Sequence, residues 1–84
     1  MKILEEKVLE YLKKRGTIVV KKKVKYGGIE KDLKSRNGDK SDKHLFAFLI
    51  PSEGEDLLCF IHVDVETEKL ERFIPPHFTE WIVE

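Results

Sequence analysis

Leu45-Phe46-Ala47-Phe48-Leu49-Ile50 is the longest apolar run in the chain, and Pro51 stops it. Alternation places Phe46, Phe48 and Ile50 on one face and Leu45, Ala47 and Leu49 on the other, so His44 to Ile50 reads as a central strand covered on both sides. A chain of 84 residues has room for a single core. The other elements must therefore be arranged around this strand.

Upstream, Leu4, Val8, Tyr11 and Leu12 recur at helical spacing, which predicts an amphipathic helix over 2–15. Glu5 and Glu6 sit in its early turns and Lys13, Lys14 and Arg15 in its last, matching the helix dipole, and Gly16 is the expected stop. From Thr17 to Tyr26 the period changes to two. Ile18, Val20, Val24 and Tyr26 share one strand face, interrupted by Lys22, and Lys21, Lys23 and Lys25 line the other.

Gly27-Gly28 breaks that strand, and Ile29 to Arg36 reads either as a short helical turn or as loop. Residues 34–43 carry no apolar side chain, so core packing cannot hold them, and a long mobile basic loop is expected there. Leu57 to Val65 is a second apolar strand, joined to the first through a short acidic loop as an antiparallel hairpin. Leu70 to Ile74 returns once more before Pro75-Pro76, and the tail ends in an edge strand or short helix. The fold class is α+β: one domain over 1–84, an N-terminal helix packed on a four- to five-stranded, mainly antiparallel sheet.

Charge is divided end to end. Residues 1–43 carry fourteen Lys/Arg against seven Asp/Glu, and residues 44–84 carry two against nine, so the zero net charge hides a strong sequence dipole. The absence of Gln, with only one Asn and one Ala among abundant Lys, Glu and Asp, resembles thermophile composition. The single cysteine, Cys59, allows no intrachain disulfide and is expected in the core. With no apolar leader and no run long enough to span a membrane, the expected location is the cytoplasm, with no membrane partner.

Three groups of residues carry the functional readings. Lys21, Lys23 and Lys25, roughly 6 to 7 Å apart on one strand face, match phosphate spacing, with Lys34, Arg36, Lys40 and Lys43 wrapping the same backbone and Tyr26 stacking on a base. Against this nucleic-acid reading stand the neutral whole and only three Arg, and the same lysines can instead pair with Asp64 and Glu66 of the acidic half. Phe78, Trp81 and Ile82 supply apolar area for a protein interface, a homodimer included, or else close the sheet. His62, Asp64 and Glu66 share a strand face and are weak candidates for a divalent metal or acid-base pair, since i and i+2 side chains diverge. No nucleophile elbow or phosphate-binding loop is present. The expectation is a binding domain without catalysis, cofactor or small-molecule ligand, either contacting phosphates or associating with protein, its own copy included; a metal-dependent enzyme is the remote alternative.

Overall fold

The computed structural model describes residues 1–83. Helix α1, Lys2–Arg15, buries Leu4, Val8 and Leu12, the i, i+4, i+8 stripe that sequence spacing predicts. Gly16 ends it in the left-handed region (φ 82°, ψ 15°), and the Gly16 and Thr17 amides return to the carbonyls of Lys13 and Leu12.

Thr17 to Tyr26 does not form one strand. A 3-10 turn occupies Val20–Lys22, with Lys21 and Lys22 at φ 56° and 51°, and strand β1 starts only at Val24. The turn takes Val19 into the core and breaks the expected alternation before it can align the lysines.

The segment read as a turn and a mobile loop is instead a long hairpin. β1 (Val24–Lys34) pairs antiparallel with β2 (Lys40–Ile50), and only residues 35–39 form the connection, closed by Ser35 N–H to Asp39 O at 2.6 Å and Gly38 N–H to Ser35 O at 3.0 Å. The register slips between Tyr26 and Ile29 and again between Glu30 and Leu33, two bulges that use Gly28 (φ 99°) and Asp32 (φ 57°). Backbone pairing organises this segment where apolar packing is absent.

β3 (Leu57–Asp64), β4 (Leu70–Ile74) and β5 (Glu80–Trp81) complete a five-stranded antiparallel meander in the order β1-β2-β3-β4-β5. The chain is α+β as expected, with five strands. The core lies between α1 and one sheet face, where Phe46, Phe48, Cys59, Ile61, Val63, Leu70, Phe73 and Ile82 meet the helix stripe. Each fully buried side chain of this kind contributes roughly 1.5 to 3 kcal/mol.

The opposite, outer face differs from the sequence expectation. A single helix covers a single face, so β2 is not covered on both sides. Leu49 is 38% exposed, Leu58 51% and Trp81 38%, with Leu45, Ala47, Phe60 and Ile74 half-buried beside them.

Candidate functional site

The register assembles the outer face from six residue pairings. Leu45 faces His62, Ala47 faces Phe60 and Leu49 faces Leu58 across β2 and β3; Phe60 and His62 continue to Ile74 and Arg72 of β4, and Arg72 to Trp81 of β5. Alternation puts these side chains on the side away from α1. They form one largely apolar surface, flanked by Lys25 on β1 and holding Arg72 between His62 and Trp81, with its guanidinium 4.1 Å from the centre of the Trp81 ring. Within the face His62 Nε2 meets Glu30 Oε1 at 3.1 Å.

One end of this face is closed by a buried charge cluster. Lys43 is 1% exposed, and its ammonium donates to Ser35 Oγ at 2.5 Å, Ser41 Oγ at 2.7 Å, Asp64 Oδ2 at 2.7 Å and Glu71 Oε1 at 3.1 Å. Four acceptors around three N–H groups leave no donor unsatisfied. Burial pushes the Asp64 carboxyl up, but hydrogen bonds from Lys43, Ser41 and the Thr67 amide, with the Lys43 charge, outweigh it and hold the group well below the ordinary carboxylate range. Asp64 also accepts the Glu66 and Thr67 amides at 2.9 Å, organising the β3–β4 turn.

This geometry is unsuited to base catalysis by Lys43 on Ser41. The lysine donates to the hydroxyl, which in turn donates to Asp64 at 2.5 Å, so the hydroxyl proton is directed at the carboxylate and not at the amine.

The residues singled out in the sequence are dispersed. Lys21, Lys23 and Lys25 do not share a strand, since the 3-10 turn holds Lys21 while β1 holds Lys25; all three are exposed and, among the described residues, none makes an ion pair. Lys34, Arg36 and Lys40 are exposed at the hairpin end, and Lys43 is buried and out of reach of phosphate. Tyr26 turns inward, its hydroxyl 3.0 Å from His44 Nδ1 and its ring 5.3 Å from Phe46, so it is not a free stacking platform.

His62, Asp64 and Glu66 separate as well: His62 meets Glu30, Asp64 meets Lys43, and Glu66 lies in the turn. Among the described residues no three His, Cys, Asp or Glu gather in a metal-holding group. Of the tail residues, Ile82 is core, Phe78 is exposed with its ring edge on Phe73, and Trp81 belongs to the outer face. Cys59 is buried, and burial pushes its thiol up.

Sequence reading did not single out Leu49, Leu58 and Phe60 as surface residues. An apolar strand with one face uncovered has the same sequence as one with both covered, and only the count of a single helix in the chain signals the difference. Among the described residues no helix is long and apolar enough to cross a membrane. Comparison with family models, curated proteins and solved structures found no match.

Proposed function

We propose that this protein is a non-catalytic interaction module that docks another protein surface on the outer face of its sheet. The observation that carries the reading is the exposure of Leu49, Leu58 and Trp81 on a continuous apolar surface formed by four strands, the kind of patch that marks binding sites on small soluble domains. The face has the composition of an interface, with aliphatic and aromatic side chains, an Arg stacked on Trp81, and Lys25 at its β1 flank.

Its edges are poor docking sites. β1 is a long edge strand, but two bulges and Lys25, Lys31 and Lys34 blunt it, and β5 pairs over only two residues. Strand addition is therefore disfavoured, and the lysines on β1 acquire a role in keeping the edge free.

The test is site-specific photocrosslinking, with a benzophenone side chain at position 58 of the outer face or at position 3, where Ile3 is exposed on the helix. In cells producing the full chain, protein adducts are expected at position 58 and not at position 3. Equal labelling at the two positions, or none, overturns the reading.

Phosphate binding remains as a second reading because Lys21, Lys22, Lys23 and Lys25 stand exposed in one short segment. Micromolar binding of a mixed single-stranded oligonucleotide, weakened by salt and by Lys23→Glu with Lys25→Glu, supports it; no binding at low salt removes it.

A further inference from the structure

We infer that the groove between the last turns of α1 and the segment 16–22 is a second binding site, and that it takes an acidic segment of another protein carrying an aliphatic side chain. The groove lies along α1, on the side of the sheet away from the outer face, so the inference goes beyond the reading above and does not depend on it.

The groove has a volume of about 960 Å³ and is open to solvent. Its apolar lining is Leu9, Ile18 and Val19, of which Ile18 stands 71% exposed. Lys13 and Lys14 stand on the helix wall and Lys22 on the facing wall, all three exposed. The one carboxylate of the lining, Glu10, lies 3.4 Å from Lys14 Nζ, whereas the side chains of Lys13 and Lys22 have no ion-pair or hydrogen-bond partner among the described residues. A ligand in the groove therefore meets two uncompensated cations, one on each wall.

Lys22 also holds a conformation that lysine does not favour. Val20 to Lys23 is a tight turn closed by the Lys23 amide on Val20 O at 3.3 Å, and its two central residues, Lys21 and Lys22, both lie in the left-handed region, at φ 56° and 51°. Asn and Gly are the residues such a turn prefers. Lysine there strains the backbone, and no ion pair or hydrogen bond of the Lys22 side chain compensates. What Lys22 supplies is its charge beside the groove.

The chemistry of the lining selects the occupant. Among the described residues no aromatic ring lines the groove, so a base has nothing to stack on, and bare phosphates would leave the apolar floor unused. An acyl chain needs a pocket that encloses most of its surface, which an open groove with a rim residue as exposed as Ile18 does not provide. An aliphatic side chain on a protein brings its own cover, and Asp or Glu beside it can pair with Lys13 on one wall and Lys22 on the other.

The test is the full chain titrated into a fluorescein-labelled dodecapeptide of repeated Glu-Leu-Asp, read by anisotropy at low salt. Saturable micromolar binding is expected, about tenfold weaker or more for a peptide with Ser in place of Leu and for the protein carrying Lys13→Glu with Lys22→Glu. Lys34→Glu with Lys40→Glu makes the same change of charge at the hairpin end and should leave affinity within about threefold. All four lysines are exposed, and far-ultraviolet dichroism confirms that the variants are folded. Amide shifts of the nitrogen-15-labelled chain should fall within residues 9–22. Lys22→Gly should raise the urea midpoint, since glycine accepts the left-handed backbone, yet weaken peptide binding about threefold.

No binding below millimolar peptide, equal binding of the peptide without Leu, an equal loss in the variant at Lys34 and Lys40, amide shifts centred on the outer face, or a lower urea midpoint for Lys22→Gly overturns the inference. So does tighter binding, through the same lysines, of a mixed oligonucleotide or of vesicles containing phosphatidylglycerol, the first of these supporting the phosphate reading in its place.

Discussion

Lys43 is buried because its whole hydrogen-bonding capacity is met. Ser35 reaches it from the hairpin connection, Ser41 from two residues earlier on β2, Asp64 from β3, and Glu71 from the register slip in β4. Removing one partner from a buried ion cluster strands the others, so Asp64→Asn is expected to lower unfolding free energy in urea by about 3 kcal/mol. The pH dependence has a definite sign. Asp64 has a folded value below the ordinary 3.8, so its contribution is present above that value and is lost as pH falls below it toward the folded one. Wild-type stability should drop below about pH 4, Asp64→Asn should show a shallower decline, and the gap between them should close. Cys59 gives a second measurement: a disulfide reagent should modify it at a negligible rate in the folded protein and rapidly in urea, since the thiol is buried and its ionisation suppressed. Burial of Cys59 was legible from its alternation with Leu57, Ile61 and Val63. Burial of Lys43 was not, because a lysine enclosed by acceptors from the hairpin connection and two other strands has the same local sequence as one in solvent.

At the scale of elements, legibility follows whether local pattern or distant pairing decides the structure. α1, β3 and β4 obey their apolar periods and lie where the spacing puts them. β1 does not, because two bulges reset its alternation, so Tyr26 and Ile29 lie on one face although they are three residues apart. Gly28 makes the first bulge possible, and Gly28→Ala should cost roughly 1 to 2 kcal/mol through its left-handed backbone, read as a lower urea midpoint. The tail behaves as part of the sheet. Ile82 is 5% exposed and its amide reaches Glu71 O at 2.9 Å, so a chain ending at Pro76 should lose about 3 kcal/mol or more and unfold at markedly lower temperature. Any comparison of association must therefore rely on point variants of the outer face. The candidate face itself was legible only in fragments: Trp81 stood out as an aromatic near the terminus, whereas Leu49, Leu58 and Phe60 read as core until the covering of each sheet face was known.

For the whole molecule, the division of charge along the sequence is partly cancelled by folding. Lys43 of the basic half pairs with Asp64 and Glu71 of the acidic half, Arg15 pairs with Glu80, and Lys7 Nζ donates to the Glu68 carbonyl at 2.6 Å. These contacts join α1 and β2 to β3, β4 and β5, so part of the sequence dipole is spent on holding the domain together. The exposed charge left over separates the two functional readings through their response to salt. Four phosphates neutralised by Lys21, Lys22, Lys23 and Lys25 would make oligonucleotide affinity fall roughly 50-fold between 0.05 and 0.2 M salt, at a slope of about −0.7 per contact on a single strand. Association through Leu49, Leu58, Phe60 and Trp81 draws instead on removal of apolar surface from water, which screening does not weaken. The expected outcome over the same salt range is therefore a yield of position-58 adducts changed by less than about threefold. A loss of tenfold or more would show that charge, and not the apolar face, holds the partner.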